Sequence, residues 1–134
     1  MRVVVDVNVL VSALLSGSGA PGRLIAQWLE GAFELVVSEE LLAELGRALA
    51  YTKLRKHISR EDAADFIAFL RATASMQADV ERPDHISRDP GDDYLLALAK
   101  TSASVLVSGD RDLLVLAPEL PIQEPGEFLE HLQH

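Results

Sequence analysis

The chain contains no cysteine. This excludes a disulfide framework, a zinc–thiolate centre and a cysteine nucleophile, and it fits a reducing compartment. Basic residues are scarce: 12 Lys+Arg stand against 21 Asp+Glu, a net charge of −9. Such a balance argues against loose, non-specific binding to nucleic acid or to anionic membranes. No apolar run approaches the length needed to span a bilayer. The opening stretch MRVVVDVNVLVSALLSG resembles a leader, but Asp6 and Asn8 interrupt it and no cleavage site follows. Cytoplasmic location is therefore expected. There are no repeats, linkers or shifts in composition, so residues 1–134 are expected to form one domain.

What is present is an ordinary globular composition, with 49% apolar and 25% charged residues. A chain of this size can bury roughly two-thirds of its unfolded surface without staples. The continuous β-branched run at residues 2–7 predicts a buried strand. A short helix over 8–15 follows, then a glycine-rich turn and a second helix with Pro21 near its start. Residues 33–37 predict another strand, and Ser38 caps a helix with Glu39 and Glu40 in its first turn. Residues 53–57 form a basic connection. Ser59 and Asp62 have the spacing of a capping box and open a helix to about residue 74. Further strands are expected at 77–80, 104–107 and 121–123, and further helices from Pro90 and Pro125. Strands alternating with helices imply a parallel sheet covered on both faces.

Four carboxylates stand where a strand or helix alone gives little reason for them. Asp6 directly follows Val3-Val4-Val5, and Asp110 lies three residues beyond Val107. Both fall at C-terminal ends of strands, the edge where open α/β sheets place their sites. In the helix from Pro90, Leu95, Leu96 and Ala99 follow Asp92 by three, four and seven residues, so Asp92 shares their inward face. Asp93 is rotated by about 100° from it and is expected in solvent. In the helix from Ser38, Glu44 borders the stripe of Leu41, Leu45 and Ala48, whereas Glu40 points away from its centre. Taken singly, each acid has an ordinary structural explanation, weakest for Asp6. Together at one sheet edge they repel one another unless a cation neutralises them. Oxygen-only ligands favour a hard ion such as Mg²⁺ or Mn²⁺.

The segments Asp6-Val-Asn8-Val-Leu, Ser38-Glu-Glu-Leu-Leu-Ala-Glu44, Arg88-Asp-Pro-Gly-Asp92-Asp and Val107-Ser108-Gly-Asp110-Arg-Asp112 occur in an order that resembles the PIN-domain nucleases. The closing Gly126-Glu-Phe-Leu-Glu resembles that family's last helix, so the likeness runs the length of the chain. It is strongest toward the VapC-like toxin ribonucleases of bacterial toxin–antitoxin systems. The resemblance implies a three-layer α/β/α fold around a parallel sheet of four to five strands. It also implies a Mg²⁺-dependent (or Mn²⁺-dependent) endoribonuclease that leaves a 5′-phosphate and a 3′-hydroxyl. Asp6, Glu44, Asp92 and Asp110 take the catalytic, metal-binding positions, with Asp112 as a fifth acid and Asn8 and Ser108 in support. Val7 stands where many relatives have Thr. The partners implied are RNA, an antitoxin protein and a second copy of the chain, with no membrane.

Residues 47–60 hold Arg47, Lys53, Arg55, Lys56 and Arg60 and no acid. A solvated helix end explains this stretch, but it is also the one place where Lys53, Arg55 and Lys56 offer clustered contacts to an RNA backbone. Other readings are a catalytically idle PIN-fold interaction module and a DNA-cutting relative. A phosphoryl-accepting receiver domain needs a lysine after its last strand, and the lysines here are 53, 56 and 100. Ser16-Gly-Ser-Gly lacks the Gly-Lys-Ser/Thr of a phosphate loop. The histidines at 57, 85, 131 and 134 follow no metal spacing and are expected at the surface or in loops, and Trp28 is expected in the core.

Overall fold

The computed structural model describes residues 1–133; His134 lies outside them. Five parallel strands form one sheet in the order β3-β2-β1-β4-β5. β1 (Arg2–Val5) is central, with Val4 level with Val36 of β2 (Glu34–Val37) and Leu106 of β4 (Val105–Val107). Its three valines are fully buried, as a strand covered on both faces requires. The edges are β3 (Ser75–Met76) and β5 (Ile122–Gln123). The strand expected at 77–80 is therefore displaced to Ser75–Met76, where Ser75 pairs with Val36 and donates a hydrogen bond to Glu34.

The sheet is flanked by helices in the three-layer α/β/α arrangement that the sequence implies. α1 (Val7–Leu15) packs against α2 (Ala20–Leu29) and α3 (Glu39–Leu49), and α3 packs against α5 (Arg60–Thr73). The hydroxyls of Ser38 and Ser59 accept from the backbone N–H groups of Leu41 (3.2 Å) and Asp62 (2.9 Å), so both predicted caps form. The basic connection contains a short helix, α4 (Thr52–Arg55). The segment at Pro90 begins as a 3₁₀ turn, Pro90–Asp92, and continues as α6 (Asp93–Thr101) on β1 and β4. α7 (Arg111–Leu114) follows β4, and α8 (Pro125–Leu132) packs against α2.

One apolar core joins the sheet to these helices. Phe33 and Phe128 meet edge to face at 5.4 Å, and Trp28, buried as expected, meets Phe69 at 5.8 Å. Among the described residues no single helix is long and apolar enough to cross a membrane.

Candidate active site

β1 and β4 run side by side and end together, which places Asp6 beside Ser108. The backbone N–H of Asp6 donates to the Val107 carbonyl at 2.9 Å. Its side chain, 6% exposed, stands at the N-terminus of α1 but does not cap it. Instead it accepts a 2.7 Å hydrogen bond from the buried Ser108 hydroxyl. The same hydroxyl accepts from the Asp110 N–H at 3.0 Å. Ser108 thus links two of the four predicted acids, and Asp110 in turn caps α7 by accepting from the Asp112 N–H at 2.9 Å.

Asp92, Glu44, Asp6 and the exposed Asn8 line one cleft of about 310 Å³. Asp110 adjoins it closely enough that its charge acts on both Asp6 and Asp92. Burial raises the Asp6 carboxyl above the ordinary range, against the Ser108 hydrogen bond and with help from Asp110. Asp92 is pushed up to about 7, first by burial, then by the charges of Asp6, Asp110 and Asp89, and by a carboxyl–carboxyl hydrogen bond to Asp110 that favours its protonated form. Its Oδ2 is buried and has no hydrogen-bond partner. Glu44 is held differently. It accepts from Arg47 at 2.7 Å, and Arg47 also reaches Glu40 at 3.2 Å. Glu40 is exposed and outside the cleft, as its place away from the apolar stripe implies, and touches the site only through Arg47.

Among the described residues no three His, Asp or Glu side chains are arranged to hold one metal ion as they stand. Three observations nevertheless fit a hard divalent cation. The donors are all oxygen, Asp92 Oδ2 lacks a partner, and the neighbouring carboxyls resist ionising together. Gathering all four on one ion requires side-chain movement; Arg47 holds one Glu44 oxygen, Oε2. Asp112 does not line the cleft; it is half-exposed, 3.9 Å from Arg88. Lys53 and Lys56 are exposed and Arg55 is partly buried, and none of the three lines the cleft.

Asp93 corrects the helix phase expected from sequence. It is buried, not solvated, and accepts from the N–H groups of Ser87 (2.8 Å) and Ile86 (3.1 Å). His85 Nδ1 lies 2.9 Å from its other oxygen. Three cleft residues escaped notice. Arg47 follows Glu44 by three positions on the same stripe of α3, and Tyr51 lies two residues past the end of that helix. Tyr94 also lines the cleft, and its buried hydroxyl has no partner.

A pH dependence follows for the metal-free protein. Folded Asp6 and Asp92 hold protons more tightly than the unfolded chain does. The stability they contribute is fully present below an ordinary carboxyl pKa of about 4. It is lost as pH rises through about 7, the value for folded Asp92. Thermal melts in chelator are expected to show stability falling over this window, less steeply for Asp92→Asn. An equal slope in the variant would remove Asp92 as the cause.

A five-stranded parallel sheet between helical layers, with a cleft of carboxylates at its C-terminal edge, is a PIN-like α/β/α fold. Residues 2–112 match the PIN-domain family model, and the chain belongs to that family, whose members are generally nucleases and include the VapC toxins. Over 143 aligned positions it is 27% identical to the uncharacterized protein MJ1680 of Methanocaldococcus jannaschii, covering 99% of this chain and 92% of that protein. Its fold is similar to that of PAE2754 from Pyrobaculum aerophilum (TM-score 0.68, 17% identity, 99% and 90% of the two chains covered). It is also similar to a chain of VapBC2 from Rickettsia felis bound to a promoter DNA fragment (TM-score 0.62, 14% identity, 92% and 98% covered).

Proposed function

We propose that this chain is a metal-dependent endoribonuclease and the toxin of a toxin–antitoxin pair, with residues 1–134 acting as one domain in the cytoplasm. The observation that carries the reading is the meeting of Asp6, Glu44 and Asp92, from separate elements, at one cleft where Asp92 Oδ2 is buried, with Asp110 beside the cleft and close enough to act on Asp6 and Asp92. These four would hold Mg²⁺ or Mn²⁺, with Asp112 as an outlying fifth acid. When bound, such an ion supplies an acidified water and neutralises charge on the phosphoryl group. The chain's own task is positioning. Ser108 fixes the Asp6 carboxylate and the Asp110 backbone, and Asn8 offers a polar side chain at the mouth.

Lys53, Arg55 and Lys56 follow directly on α3 and extend the path along which a strand of RNA finds positive charge. The VapBC assemblies among the structural neighbours favour a protein partner for this chain, an antitoxin, and self-association as a homodimer is part of the same reading. A second reading, an idle PIN-fold interaction module, draws on the Glu44–Arg47 pair and the absence of a ready ion site among the described residues. The test is cleavage of matched single-stranded RNA and DNA in Mg²⁺, Mn²⁺ and EDTA, alongside Mn²⁺ calorimetry. Cleavage of RNA only with a divalent ion is expected, lost in EDTA and restored by excess metal. Cleavage of DNA alone would mark a DNA-cutting relative. Absence of both cleavage and Mn²⁺ binding would establish the idle module.

A further inference from the structure

On α3, Glu40, Glu44 and Arg47 follow one another at intervals of four and three residues on one helical stripe, and Tyr51 lies two residues past the helix's last residue, Leu49. Arg47 and Tyr51 form the wall of the cleft whose floor holds Asp6 and Asp92. Arg47 is 60% exposed, and both of its carboxylate partners are about half exposed, so its ion pairs are weakly held. Tyr51 is 71% exposed, an aromatic ring left in solvent beside a charged cleft. Neither residue is needed for packing.

We propose that Arg47 is an exchangeable counter-ion and that, with Tyr51, it forms a nucleotide subsite. In the metal-free protein Arg47 neutralises Glu44. When a divalent ion takes Glu44, the guanidinium turns to a phosphate of the incoming strand, and the base of that nucleotide stacks on the Tyr51 ring. A guanidinium matches a phosphate through paired N–H donors, and an exposed tyrosine accepts any unpaired base. The exchange couples metal to substrate: without metal Arg47 is engaged by acids, and with metal it faces the phosphate. This inference rests on the nuclease reading for its ion.

The test measures Mn²⁺ binding by calorimetry and binding of a short labelled single-stranded RNA by anisotropy, with Ca²⁺ replacing Mg²⁺ to hold back cleavage. Arg47→Gln is expected to bind Mn²⁺ more tightly than wild type while binding RNA more weakly. Its salt dependence should flatten by roughly 0.7 of a log–log unit. Arg47→Lys should keep the wild-type salt slope. Tyr51→Ala should lose roughly five-fold or more in RNA affinity with Mn²⁺ binding unchanged, and Tyr51→Phe should retain it. Weaker Mn²⁺ binding in Arg47→Gln, or an unchanged RNA salt slope, overturns the proposal, as does full RNA affinity in Tyr51→Ala. If wild type binds no Mn²⁺ and cuts nothing, the nuclease reading and the exchange fall together. RNA binding by Tyr51→Ala in EDTA then decides the stacking half alone, supporting it if binding weakens and overturning it if binding is unchanged.

Discussion

Asp6→Asn is expected to lower divalent-ion-dependent RNA cleavage by roughly 100-fold or more, since even partners outside a metal's immediate ligands cost up to about that much. The fold should survive. Asn keeps the shape of the side chain and an oxygen that can accept from the Ser108 hydroxyl, the bond made at 2.7 Å in the wild type. It also removes a charge that is buried and faces Asp110. In the absence of metal the variant should therefore be at least as stable as wild type, most visibly near neutral pH. The combination discriminates: a destabilised, inactive variant would point to a structural role for Asp6, and wild-type cleavage would remove it from the site. Cleavage at matched pH and urea denaturation in EDTA measure the two halves.

Asp6 could be found from sequence because it breaks a rule that strands otherwise obey. Val3-Val4-Val5 reads as a strand buried on both faces, and nothing in the local sequence calls for a carboxylate directly after it. Glu44's place at the cleft is legible because the stripe on α3 is regular from its Ser38 cap onward. β3 was misplaced because a two-residue edge strand carries no apolar run to mark it; pairing with β2 alone defines it. The Asp92–Asp93 segment failed in a more instructive way. The backbone there is a 3₁₀ turn that gives way to an α-helix, so residues advance by about 120° and then about 100°, and a single helical wheel misplaces one of them. The partners of Asp93 lie in the irregular stretch before Pro90, whose path no periodicity encodes. Arg47 reads in sequence as one of a basic run and Tyr94 as one more residue of α6; only the fold turns both toward the acids.

That misplacement turns into the sharpest contrast between neighbouring residues in the chain. Asp92→Asn is expected to lose most nuclease activity and to keep or gain stability, because its carboxyl is pushed up by burial and by like charges and its Oδ2 is buried without a donor. Asp93→Ala is expected to do something else. One oxygen of Asp93 accepts from two backbone N–H groups and the other meets His85, which ties the loop at 85–87 to the start of α6. Burial opposes ionisation of Asp93, but the hydrogen bonds from Ser87, His85 and Ile86 outweigh it and hold the carboxyl below its ordinary range. Its contribution is thus present above the unfolded carboxyl pKa and is lost as pH falls, the reverse of Asp92. Removing the side chain strands those donors, at a cost of about 2 to 3 kcal/mol. Asp93→Asn, which keeps the acceptor oxygen and loses the charge, should fall between wild type and Ala. Urea denaturation at neutral pH measures the stabilities, and cleavage by the folded fraction measures activity. Because the loop that Asp93 anchors leads into Asp92, Asp93→Ala should also lose some activity, but by disorder at that ligand rather than loss of it. Excess Mn²⁺ should then recover activity in Asp93→Ala and not in Asp92→Asn. Recovery in both variants, or in Asp92→Asn alone, would show that the roles of the two residues are wrongly assigned.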